Sequence, residues 1–80
     1  MHKQSHLRET LQDYLDSDAP AREFTVEHDG DEKSLDWLLG QLWTCTDVLP
    51  GGYCDQLDLP HGSTYAQAVR RIKERPDLYM

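Results

Sequence analysis

Two cysteines and four histidines are the side chains of this sequence that are best suited to bind a metal ion. Cys45 and Cys54 are separated by eight residues, His61 follows after six more, and His28 is the remaining candidate ligand. Zinc sites built on two thiolates usually place them about two to four residues apart. The spacing therefore argues against a zinc site, and we expect no metal and no cofactor.

The two cysteines are expected to be buried, reduced thiols. Cysteine is one of the most frequently buried residue types, and the first fifteen residues lack the continuous apolar run of an export signal. Proteins that are not exported rarely contain disulfides. A redox-dependent bond between Cys45 and Cys54 stays open as the alternative.

Familiar catalytic signatures are absent from the sequence. It contains no nucleophile elbow, phosphate-binding loop, paired-histidine zinc motif or dinucleotide fingerprint. The run from His61 to Thr64 puts a histidine beside two hydroxyls, but such residues before a helix usually cap it. A chain of 80 residues also has little volume for a substrate pocket. We therefore expect no catalytic residues and no enzymatic activity.

Residues 57–73, LDLPHGSTYAQAVRRIK, suggest contact with DNA. A short helix, a turn with glycine and a longer helix resemble the second half of a helix-turn-helix, whose second helix lies in the major groove. Serine, glutamine and arginine are side chains that can read base edges. The candidate contacts on the outward ridge of the last helix are Ser63, Gln67, Arg70 and Arg71.

The charge balance argues against direct DNA binding. Fifteen acidic residues oppose eight lysines and arginines, for a formal net charge of -7. Residues 60–80 are mildly basic, with four cations and two acids, but residues 1–59 hold the other thirteen acids. Affinity for DNA depends strongly on neutralising phosphates. The cations of the last helix are equally explained by favourable placement near its C-terminus.

The acidic residues suggest the converse hypothesis, mimicry of a nucleic acid. A small acidic protein could occupy the binding site of a nucleic-acid-binding protein, as in an anti-defence inhibitor from a phage or mobile element. The alternative is a solvated face that keeps the protein soluble. The candidate acidic surface consists of Asp13, Asp16, Glu23, Glu27, Asp31 and Glu32.

Hydrophobic periodicity predicts an α+β, mainly helical fold in one domain over residues 1–80. Between the first two helices we expect a small β-hairpin or an extended arm. Phe24, Val26 and His28 alternate with polar residues there, and the dipeptide Asp29-Gly30 favours a tight turn. The predicted helices cover 5–17, 35–48, 51–58 and 64–75, the hairpin or arm covers 23–35, and Leu78 and Tyr79 dock the tail.

The helix predicted over 35–48 is expected to be the most buried element. Ser34 is a good N-cap, and the helix carries the widest apolar stripe of the chain. Trp37 lies beside this stripe and Trp43 continues it, so both are interpreted as core and edge packing. Gly40 is unfavourable inside a helix and suggests that another backbone passes close by.

The function expected from these observations is a small acidic, non-catalytic module that binds another protein, of bacterial or phage type. Its contact surface would use exposed parts of Trp37, Trp43 and Tyr79, because tryptophan, tyrosine and arginine dominate interface energetics. A homodimer is one form that this binding could take. The alternative is a nucleic-acid-linked regulator. No apolar run reaches the length of a membrane span, so we expect a cytoplasmic protein.

Overall fold

The hydrophobic pattern of the chain is realised as helices packed around one small β-hairpin. The computed structural model describes residues 3–79, with the side chains of 6–75 and 77–79. The protein is α+β and mainly helical, as predicted. Its elements are α1 (Lys3–Asp16), a 3-10 turn (Ala21–Glu23), β1 (Thr25–His28), β2 (Asp31–Ser34), α2 (Leu35–Gln41), α3 (Gly51–Gln56), α4 (Tyr65–Glu74) and α5 (Pro76–Tyr79).

The first helix, α1, packs on the core through one apolar face. Leu7, Leu11 and Tyr14 are buried, because spacings of four and three residues place them on the same side of a helix. The helix begins at Lys3 and ends at Asp16, so its bounds differ from the predicted 5–17 by one or two residues.

The hairpin, rather than an extended arm, is what the chain forms after α1. Strands β1 and β2 are antiparallel, with His28 opposite Asp31. The two residues of the turn, Asp29 and Gly30, have positive φ values of 53° and 84°. A turn of this kind matches the right-handed twist of the strands. Val26 is buried and anchors the hairpin to the helices.

The second helix, α2, contributes much of the core. Ser34 caps it as predicted, since its hydroxyl oxygen accepts a hydrogen bond from the Trp37 amide at 3.3 Å. The helix ends at Gln41, so the predicted extension to residue 48 is wrong. The apolar stripe is nevertheless buried along its whole length, at Leu35, Leu38, Leu39, Leu42, Cys45 and Leu49.

The chain leaves the helical path because residues 45–49 pair with the start of α4. The amides of Tyr65 and Ala66 donate to the carbonyl oxygens of Asp47 and Cys45, each at 3.0 Å. Amides in the first turn of a helix have no acceptor inside that helix. We call this pairing the 45–49 seam. It supplies those acceptors from residues that lie beyond the end of α2.

The third helix, α3, ends earlier than the predicted 51–58, at Gln56. Beyond it the Leu59 amide donates to the Cys54 carbonyl at 2.8 Å, and Asp58 has a positive φ of 61°. This is the hydrogen-bond pattern of a Schellman cap, in which glycine is the usual residue at the left-handed position. The cap turns the chain back towards α4.

The fourth helix, α4, begins with a reciprocal cap between Thr64 and Gln67. The Thr64 hydroxyl accepts from the Gln67 amide at 3.3 Å, and the Gln67 side chain accepts from the Thr64 amide at 2.7 Å. Each residue thus satisfies a backbone donor that the helix leaves free. Its inward face includes Tyr65, Ala68, Val69 and Ile72, all of them buried.

The C-terminal tail forms a short helix, α5, that docks on the core. Leu78 and Tyr79 are half-buried against it, as predicted. The Tyr14 hydroxyl donates to the Leu78 carbonyl, which joins the two ends of the chain. Burial raises the pKa of this tyrosine above its ordinary value.

Gly40 does not have the close neighbour that its position in a helix suggested. It is exposed, and a Cβ built there would meet no atom within 4 Å. The prediction of a passing backbone is therefore wrong. Nothing within the described residues requires glycine at this position.

We expect Gly40→Ala to raise the free energy of unfolding by about 0.5–1 kcal/mol, because alanine loses less backbone entropy in a helix. Urea denaturation measures this change. Gly30→Ala is the matched control. Its φ of +84° is strained for alanine, so the same substitution should destabilise the protein. A loss of stability at Gly40 would contradict the open environment found there.

Candidate functional site

One exposed face spans α2, its exit and the outer side of α4. Asp36 and Gly40, four residues apart, lie on an exposed flank of α2 beside the buried leucines, and Trp43 follows three residues later, just past the end of the helix. Arg70 and Lys73 of α4 contact this side. We call these five residues the Trp43 face.

Trp43 is the dominant apolar group of this face, with 42% of its surface exposed. The guanidinium of Arg70 lies over its ring, 5.3 Å from the centroid. Such cation–π contacts stabilise exposed pairs by about 0.5–1 kcal/mol. The contact holds both side chains in place while leaving much of the indole open.

Asp36 links the start of α2 to both C-terminal helices. Its carboxylate accepts a hydrogen bond from the Lys73 ammonium and another from the Tyr79 hydroxyl, each at 2.6 Å. The hydrogen bond from the lysine is the main cause that lowers the pKa of this carboxyl, and the hydrogen bond from the tyrosine is the second cause. Burial, and then the bond to Asp36, raise the pKa of Tyr79 to about 12. Tyr79 is thus half-buried at the edge of the Trp43 face, where it joins α5 to the start of α2.

Trp37 has a different setting from Trp43. It is half-buried against the core, and its ring centroid lies 4.9 Å from the ring centroid of His28. The Lys33 ammonium lies 5.8 Å from the Trp37 ring centroid. These contacts attach the hairpin to α2. Of the three aromatic residues predicted to form an interaction surface, Trp43 is exposed, whereas Trp37 and Tyr79 are half-buried.

Two of the four residues predicted to contact nucleic acid form hydrogen bonds with the turn before α4. Ser63 is 3% exposed, and its hydroxyl donates to the Pro60 carbonyl at 2.6 Å. It therefore faces inward and does not lie on the outward ridge where the sequence placed it. Gln67 is exposed, but its side-chain oxygen belongs to the cap with Thr64.

The two arginines of the predicted ridge also have partners within the fold. Arg70 is exposed and stacks over Trp43. Arg71 is half-buried, and one of its terminal nitrogens lies 3.4 Å from the Asp58 carbonyl. The structure does not bring the four candidates into one outward row.

The six predicted acidic residues are all exposed, on four different elements. Glu27 and Glu32 lie directly opposite each other across the hairpin. Like charges in such a pair destabilise a sheet. Asp16 accepts a hydrogen bond from the Tyr53 hydroxyl at 2.8 Å, and this bond is the main cause that raises the pKa of Tyr53.

The cysteines and histidines do not converge. Cys45 and Cys54 are buried free thiols, and the Cys54 sulfur lies 3.7 Å from the Leu49 carbonyl. His61 is exposed and its Nε2 lies 2.9 Å from Asp55. Among the residues that the structure describes, no three His, Cys, Asp or Glu side chains form a group that could hold a metal ion.

A cleft of about 300 Å³ is the feature that the sequence did not predict. It lies between the end of α1, the loop after it, and α5. Residues of α3 and α4 line it as well, so the cleft depends on how elements distant in sequence pack together, which no local pattern marks. The sequence did contain one signal for this region. The last turn of α1 holds no basic residue, and Asp13, Asp16 and Asp18 lie in it or just after it.

Comparison with known proteins gives no match to a family model, to a curated protein or to a solved structure. Within residues 3–79, no helix has the length and apolar character needed to cross a membrane.

We expect Asp36→Asn to lower stability above about pH 4, with the difference from wild type shrinking as the pH falls through the lowered pKa of the folded-state carboxyl. A carboxyl whose pKa is depressed by folding stabilises the protein above its unfolded pKa, and the effect is lost as pH falls through the folded pKa. The side chain is 60% exposed, so solvent screening limits the loss to less than about 1 kcal/mol. Thermal unfolding across this range measures it.

Asp31→Asn on the hairpin is the control for this experiment, since it removes the same charge from an exposed position. A stability difference between wild type and Asp36→Asn that is equally large at pH 3 and pH 6 would contradict the role given to the Lys73 and Tyr79 bonds.

Proposed function

We propose that this protein is a non-catalytic module that binds another protein through the Trp43 face. The observation that carries the proposal is the exposure of Trp43 beneath Arg70. Tryptophan and arginine are the residue types most enriched in the energetic centres of protein interfaces. A partner that covers the indole would gain from burying its open surface.

Preorganisation supports this choice of surface. Arg70 already stacks on Trp43, so binding would immobilise fewer freely rotating side chains than at an ordinary exposed arginine. Gly40, beside Trp43, adds no bulk to the face, and its replacement by alanine is expected to stabilise the free protein. A position that sacrifices stability without an internal reason is a candidate for function.

The other exposed large apolar side chain is close to Trp43 in the sequence. Of the side chains described, two large hydrophobic ones are exposed, Trp43 at 42% and Val48 at 64%. Val48 belongs to the 45–49 seam, which begins two residues after Trp43. The net charge of -7 favours a partner surface that is neutral or basic around its apolar centre.

We expect Trp43→Ala to weaken binding of the partner at least about tenfold while changing stability by less than about 1 kcal/mol. Biotin-labelled wild-type protein captures partners from a cell extract, and the affinity of each purified partner is then measured for both forms. Sedimentation of the wild type and of Trp43→Ala tests a second copy of the chain as partner.

Trp37→Ala is the matched control, because it removes an indole that is half-buried in the core. It should lower stability more than Trp43→Ala and leave the affinity unchanged at temperatures where the variant is folded. Equal affinity of wild type and Trp43→Ala for every captured partner would overturn the proposal.

A second candidate function is capture of a basic protein by the acidic surface, as in mimicry of a nucleic acid. The observation in its favour is the opposed pair Glu27 and Glu32, which weakens the hairpin and has no structural benefit. Folding alone would favour a cation at one of the two positions. An acidic binding surface would account for retaining both carboxylates.

Salt separates the two candidates. Capture through the carboxylates should fall steeply between about 50 and 200 mM salt and should weaken in Glu27→Gln and Glu32→Gln. Binding through the Trp43 face should survive both changes. Glu32→Gln should also raise the free energy of unfolding by about 0.2–1 kcal/mol, because it removes the repulsion.

A further inference from the structure

The cleft beside α1 has an apolar floor. Leu57 and Ile72 line it and are almost fully buried, with Leu15 and Leu78 half-buried beside them. It shares no lining residue with the Trp43 face. Its volume of about 300 Å³ is at the lower limit of the range found for small-molecule pockets. The space suits one or two side chains of a partner better than a larger organic ligand.

The rim of the cleft is electrostatically negative. It lies at the C-terminal end of α1, where the helix dipole favours a cation. Asp18 stands there instead, exposed and without a hydrogen bond or ion pair to any described residue. Asp77 also lines the cleft, but both of its oxygens accept from Arg75 at 3.2 Å. Asp18 is therefore the rim carboxylate with no cation beside it.

We propose that this cleft binds a short segment of a partner protein in which an apolar side chain lies next to an arginine or lysine. The apolar side chain fills the space over Leu57 and Ile72. The cation reaches Asp18 and the carbonyl end of α1, a helix whose last turn holds no basic residue. The charge of the rim and the apolar floor together define this occupant.

This inference rests on the proposed function only in that the occupant is part of a protein. It concerns a second contact region, so either region can fail without the other. The Trp43 face supplies exposed apolar area, whereas the cleft selects a particular pair of side chain types. A partner that uses both regions would bind more tightly than through either one.

The probe is an acetylated and amidated peptide of glycine, leucine, arginine and glycine, titrated into the isotope-labelled full chain. Amide signals of Ser17, Ala19 and Leu57 should shift with saturation, whereas the Trp43 indole signal should not. Replacing the leucine of the peptide with serine, or the arginine with glutamine, should weaken binding at least about twofold in each case.

Asp18→Asn should weaken the peptide about two- to fivefold. It should also raise the melting temperature of the free protein by about one to a few degrees, because it removes a negative charge from the end of α1. Asp31→Asn makes the same charge change on the hairpin and should leave the peptide affinity within about twofold. Opposite effects on binding and stability are not expected from a purely structural aspartate.

Absence of shifts around the cleft would overturn this inference and leave the Trp43 face untouched. Equal weakening by Asp18→Asn and Asp31→Asn would overturn it too, because attraction to the overall negative charge would then suffice. A third contrary result is equal binding of n-butylguanidinium, which has the cation without a peptide. The cleft would then be a site for small cations.

Discussion

The amides in the first turn of α4 need hydrogen-bond acceptors, and the middle of the chain is arranged to supply them. Residues 45–49 leave the helical path after α2 and present the carbonyls of Cys45 and Asp47 to Tyr65 and Ala66. This 45–49 seam places α4 against α2, so that Val69 and Ile72 join the leucine core. It also ends α2 at the point where Trp43 emerges. The same bonds therefore shape both the core and the Trp43 face.

Charge is distributed unevenly over the surface of this fold. Lys73 is bonded to Asp36, and Arg75 is bonded to Asp77, so these cations of the C-terminal region neutralise carboxylates close to them. Within the described part of the chain, no cation is bonded to Glu27 or Glu32 of the hairpin or to Asp18 at the end of α1. Each of these carboxylates is exposed, and the first two face one another. The negative surface thus has two regions where added positive charge would be stabilising.

Three local features reduce stability without a reason among the residues that the structure describes: glycine at position 40 in an open helical setting, the pair Glu27 and Glu32, and Asp18 beside the end of α1. Most of the other local choices agree with the fold, including the caps of α2 and α4 and the turn of the hairpin. Departures from such consistency are concentrated at functional sites in natural proteins. This contrast is the common physical basis of the surfaces proposed for binding.

The sequence alone determined the features that depend on near neighbours. Periodicity identified the buried faces, Ser34 and Thr64 identified two helix starts, and Asp29-Gly30 identified the turn, because these signals act over a few residues. The end of α2, the inward position of Ser63 and the cleft were decided by the tertiary structure. They depend on which distant backbone groups accept hydrogen bonds and on how α5 packs. The exposure of Trp43 also depended on the tertiary structure. The buried apolar positions continue into residues 45–49, which bond to α4, whereas Trp43 lies outside them.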